Sequence, residues 1–118
     1  MQEYDPATDT WTRKADMPVA TSQMVSVVLG DKIIVISGWL WSQDNPYTTV
    51  QIYDPQTDTW TIGNDAPFLR AVFVAEVVNN RIYAIGGTDR PHPCPALSTV
   101  YEYSPLVDYN WDGFVDID

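Results

Sequence analysis

A chain of 118 residues, 45% apolar and 13% aromatic, has the material of one globular core, which excludes a disordered tail and argues against two cores. Its 6 basic and 16 acidic residues give a net charge of −10, a balance that repels phosphate backbones and anionic lipid surfaces, so neither nucleic acid nor membrane is an expected partner. The single cysteine, Cys94, cannot form an internal disulfide, and no apolar run approaches the roughly 20 residues that span a bilayer.

Met1 leads straight into QEYDP, without the basic start or apolar stretch of a secretion signal, so the chain is either cytosolic or lacks its true beginning. YDPATDTW at 4–11 and Met17-Pro18 come first. SQMVSVVL at 22–29 is rich in β-branched residues and predicts a strand, Gly30-Asp31 supplies a tight turn, and a second strand over 32–37 ends at Ser37-Gly38. The loop GWLWSQDNPY at 38–47 leads to a third strand at 48–54. Asp54-Pro55 with Thr57-Asp58-Thr59 then turns the chain into a fourth strand at 59–63. The order repeats with a strand at 71–78, a turn at Asn79-Asn80, a strand at 81–86 closed by Gly86-Gly87, the loop GTDRPHPCPA at 87–96 and a strand at 98–104. No stretch has sustained helical periodicity, and nine prolines argue against one.

Tyr4 and Tyr53, Trp11 and Trp60, and Pro18 and Pro67 each stand 49 residues apart, and the same shift aligns VVLGDKIIVISG at 27–38 with EVVNNRIYAIGG at 76–87. A period near 50 marks propeller blades, solenoids or arrays. A third, altered copy of the opening phrase, YSPLVDYNW, occupies 103–111.

These features resemble the kelch repeat, in Gly86-Gly87, Tyr53-Asp54-Pro55, Trp60 and Arg70 before the next strand. Thr21 stands where the second copy has Arg70, and Ser37 replaces the first glycine of its pair. The resemblance covers nearly all of residues 1–105. It implies an all-β fold of kelch-type β-propeller blades, each of four antiparallel strands: a partial blade over 1–18, a full blade over 21–66 and a partial blade over 70–105. Tyr53 and Trp60 are then expected to fill the space between blades. Propellers close with about four to eight blades, so this is an incomplete ring that missing blades or other copies of the chain must close.

DYNWDGFVDID at 108–118 places Asp108, Asn110, Asp112 and Asp116 at loop positions 1, 3, 5 and 9, with Gly113 at position 6 and the backbone carbonyl of Phe114 at position 7. That spacing suits calcium, and the segment looks like the start of an EF-hand loop, most similar to the dockerin variety. Residues 106–118 are therefore expected to begin a separate module with an incomplete calcium site. An extracellular or cell-surface location goes with that tail, and a cytoplasmic one without it. The alternative is an ordinary blade turn with an insertion.

Enzyme chemistry has little support in the residues. His92 is the only histidine, His92 and Cys94 offer two ligands where zinc usually takes at least three from protein, and neither a nucleophile elbow nor a phosphate loop occurs. If strand direction alternates, the loops 38–48 and 87–97 and the connector 64–70 emerge on one face. This makes Trp39, Trp41, Tyr47, Arg70, Asp89, Arg90 and His92 the candidate surface for a protein or glycan ligand. In the competing reading, Trp39 and Trp41 cover the edge of their own blade. Three functions follow: a binding scaffold, a fragment of a carbohydrate-active propeller enzyme, or a cytosolic protein-interaction protein.

Overall fold

The computed structural model describes residues 1–40, 45–46, 48–89, 95–103 and 115–116. The chain opens with an antiparallel hairpin of β1 (Gln2–Asp5) and β2 (Thr10–Arg13), in which Tyr4 lies opposite Trp11. β3 (Val25–Leu29), β4 (Lys32–Ile36), a two-residue ribbon of β5 (Trp39–Leu40) and β6 (Asn45–Pro46), β7 (Val50–Asp54) and β8 (Thr59–Ile62) follow. β3, β4, β7 and β8 form one antiparallel meander in that order. β9 (Val74–Val78), β10 (Arg81–Ile85), β11 (Val100–Tyr103) and β12 (Val115–Asp116) form a second. The described residues contain no helix, and the fold is all-β with two four-stranded antiparallel sheets and no closed ring.

The repeated phrase builds the same hairpin twice because its polar side chains satisfy its own backbone. Asp5 accepts the N–H of Ala7 at 2.9 Å and Asp54 that of Gln56 at 2.9 Å, the Asx turn that Asp-Pro favours. Asp9 and Asp58 both take φ 53°, a left-handed conformation that aspartate tolerates. The Tyr4 hydroxyl donates to Asp9 at 2.8 Å, and that of Tyr53 to Asp58 at 2.7 Å.

The two inner strands begin three residues later than the β-branched runs predict. Gln23 and Val72 both adopt φ 54°, which no strand residue can hold, so strand geometry starts at Val25 and Val74. Alternation along the strands then sorts the faces. Val27, Leu29, Ile34, Ile36, Val50 and Ile52 of the first sheet meet Phe73, Ala75, Ile82, Ala84 and Tyr103 around the second, with Phe68 between them.

Outside this core each sheet has a second face. Val74, Val78 and Ile85 of the second sheet are exposed. On the first sheet, Met24, Ser26, Ile33 and Val35 join Met1, Met17 and Trp60 around an apolar cavity of about 430 Å³. Trp60 is only half-buried here, against the expectation that it fills the space between blades. Its ring lies 5.0 Å from that of Tyr53 and forms part of the cavity wall.

Candidate functional site

Strand direction gathers the long loops at one rim. β4 and β10 run up to it, β7 and β11 run away from it, and the connector 63–70 crosses it from β8 to β9. Backbone bonds hold the pieces together: Ala66 N–H to Thr48 C=O at 2.8 Å, Gly63 N–H to Val50 C=O at 2.9 Å, and a two-way bridge between Ala71 and Thr88. Gly87 makes the closest approach. It sits at φ 94°, and a Cβ there would lie 2.6 Å from the Cβ of Phe73 and 2.8 Å from the carbonyl of Ala71.

Two residues expected at the surface turn inward. Trp39 is 4% exposed, and its backbone bridges to Ser22. Arg70 is 3% exposed. Its guanidinium lies 5.0 Å from the Phe68 ring and 5.1 Å from the Tyr101 ring, and it donates to the carbonyl and hydroxyl of Thr99. Set against the Phe68–Tyr101 ring pair and bonded to Thr99 just before β11, it fixes the connector to the second sheet. Asp89 is half-buried at the same rim, beside the Ala71–Thr88 bridge. Trp41, Tyr47, Arg90 and His92 lie outside the described residues, so the surface predicted from them is fixed only at its margins.

One residue at this end of the sheet was not singled out by its sequence pattern. Gln51 is fully buried in β7, and its carboxamide accepts the N–H of Val19 and donates to the C=O of the same residue, both at 3.0 Å. The side chain thus mimics a strand partner for the connector 14–20. A lone amide inside the apolar run VQIY was the available signal.

The opposite rim carries the tight turns and many of the acidic residues, where carboxylates serve the fold. The Gln56 N–H, then Lys32 at 3.1 Å, hold the Asp54 carboxyl below its ordinary value. The Ala15 N–H at 2.9 Å and then the Tyr53 hydroxyl do the same for Asp58. Burial, followed by the bond to Asp58, pushes the Tyr53 hydroxyl up to about 12.

Among the described residues no three His, Cys, Asp or Glu side chains gather as a metal site. Asp108, Asn110, Asp112 and Phe114, expected as calcium ligands, lie outside the described residues. The backbone of Asp116 pairs with Tyr101, and Val115 with Glu102, as Ile62 pairs with Gln51 and Thr61 with Ile52 in the first sheet. Residues 115–116 therefore occupy the fourth-strand position of the second sheet, and the intervening segment is four residues longer than its counterpart. This differs from the expected boundary, which ended the blade at 105.

Residues 20–67 and 70–108 each match the family model of the Kelch motif. The F-box protein AFR of Arabidopsis thaliana is 37% identical over 41 residues, which are 35% of this chain and 11% of that protein. The solved structure of YjhT superposes with a TM-score of 0.76 at 16% identity, over 92% of this chain and 41% of that one. The chain thus spans less than half of the structural neighbour and about a tenth of the curated relative. Two matched repeats over 20–67 and 70–108, each holding a four-stranded antiparallel meander, place this chain in the kelch-repeat family.

Proposed function

We propose that the chain is part of a kelch propeller that binds another protein through the rim formed by loops 37–49, 63–70 and 86–99. Kelch repeats generally serve as protein-interaction scaffolds. The observation that carries the reading is the contrast between a rigid base and a variable edge. Gly87, Arg70 and Gln51 lock the backbone beneath the rim, while the two loops above it differ in sequence and carry the aromatic and charged residues Trp41, Tyr47, Arg90 and His92. Such side chains, presented by loops on a fixed scaffold, suit a protein hot spot. The net charge of −10 favours a partner with a basic surface.

The test compares two double variants of the whole protein. Trp41→Ala with Tyr47→Ala is expected to weaken partner association at least about tenfold while leaving the melting temperature unchanged. Gln56→Ala with Asp31→Ala, at the turn rim, is expected to leave association intact. Equal loss in both pairs, or loss only in the second, overturns the assignment to the loop rim.

A further inference from the structure

The two copies of the Tyr-Asp-Pro-x-Thr-Asp-Thr-Trp hairpin are alike inside and unlike outside. In the second copy, Asp58 accepts the N–H of Ala15 at 2.9 Å and Trp60 Nε1 donates to the C=O of Ala15 at 2.9 Å. The hairpin therefore holds both polar groups of one residue in the connector that leads into its own sheet. Lys14, next to the held residue, adds a favourable charge beside Asp58.

The first copy reproduces every internal feature of that receptor. Its Tyr–Asp bond, paired threonine hydroxyls at 2.6 Å and aspartate φ match those of the second. The Tyr4 and Trp11 rings stand 5.0 Å apart, as do Tyr53 and Trp60. Yet Trp11 is 68% exposed, whereas Trp60 is half-buried.

We propose that Asp9 and Trp11 form a receptor for the connector of another kelch repeat: an extended peptide of the Lys-Ala-Asp-Met-Pro kind, whose alanine gives its N–H to Asp9 and its C=O to Trp11 Nε1. The occupant follows from the filled copy, which displays the same chemistry with its ligand in place. The chain's other connector, Gly63-Asn64-Asp65-Ala66-Pro67, puts Asn64 at the position of Ala15 and has no lysine before it, so it suits the aspartate less well. The inference rests on reading the chain as part of a larger propeller, but it uses neither the loop rim nor its partner.

The test is a titration of the ¹⁵N-labelled chain with a capped synthetic peptide of residues 13–19, Arg-Lys-Ala-Asp-Met-Pro-Val, reading the indole N–H resonances. These are assigned with Trp11→Phe and Trp60→Phe. The Trp11 indole is expected to shift saturably while that of Trp60 stays in place. Methylating the peptide nitrogen of the alanine, or introducing Asp9→Gly, which removes the acceptor at a position of positive φ, should each weaken the response about five- to tenfold, the value of one hydrogen bond. A scrambled peptide that shifts Trp11 equally, an N-methyl peptide that binds like its parent, or movement of Trp60 instead of Trp11 would each overturn the proposal. A Trp11 resonance that moves with protein concentration alone would assign the receptor to a second copy and overturn the choice of occupant. The loop-rim variants, which leave Asp9 and Trp11 untouched, keep failure of this inference separate from failure of the binding-scaffold reading.

Discussion

The two sheets receive their connectors at the same register position by opposite means. Gln51 pairs with Val35 in the first sheet and Tyr101 with Ala84 in the second, and Val35 and Ala84 are one repeat apart. In the first, the Gln51 carboxamide bonds the backbone of Val19. In the second, Phe68 takes the place of Val19, its ring packs 4.8 Å from that of Tyr101, and the Arg70 guanidinium touches both rings. A directional pair of hydrogen bonds and a cation set against an aromatic pair do the same job. The repeat conserves where the connector must be held and leaves the means to each blade.

The sharpest test of this comparison is Gly87→Ala. The new methyl group would meet Phe73, the Ala71 carbonyl and the Arg70 side chain at 3.0 Å or less, in a left-handed backbone. Unfolding by denaturant is expected to show a loss of about 3 kcal/mol or more. A loss below about 1 kcal/mol would mean that the aromatic seat of Arg70 yields easily.

Gln51→Leu should cost about 2–4 kcal/mol, because it strands the N–H and C=O of Val19 beside a fully buried site. Tyr101→Leu keeps an apolar contact with Phe68 and should cost less, about 1–2 kcal/mol. The reverse order would break the comparison, since it would make packing the stronger anchor. Arg70→Met removes the bonds to Thr99 and the contacts with both rings, for about 1–3 kcal/mol. Because the guanidinium is enclosed, added salt should leave that loss unchanged.

The smallest effects are in pH. The Asp58 carboxyl is held below its ordinary value by the Ala15 N–H and then the Tyr53 hydroxyl. Its contribution is present above the usual carboxylate range and fades as pH falls through it. Tyr53 is raised from 10.0 to about 12, so its contribution is complete below pH 10.0 and fades as pH climbs toward 12. Melting temperature followed against pH should decline on both limbs, and Asp58→Asn should flatten the acid one.

The four strands of the first sheet, the first three of the second, their turns and the 49-residue period were legible in the sequence because they depend on local chemistry: β-branched runs, Asp-Pro turns and glycines with positive φ. The burial of Trp39 was one of two readings the loop allowed, and the bridge to Ser22, seventeen positions away, was not visible in it. The anchoring of Val19 by Gln51 spans 32 residues and leaves only an amide in an apolar run as its trace. The delayed starts at Val25 and Val74 were hidden because Val72, a residue that favours strands, is forced into a left-handed turn.

The hairpin phrase also sets a timetable. Its internal bonds join residues two to five positions apart, whereas its hold on Ala15 spans 43 and 45 positions. Contacts so local form on the microsecond scale of isolated hairpins, while the distant ones wait for a long loop to close. Each hairpin is thus assembled before its connector arrives. During refolding, Thr57→Ala should slow formation of the native state, and Trp60→Phe should chiefly hasten its loss. In a chain emerging from the ribosome, residues 2–13 would be shaped before either of the two four-stranded sheets exists.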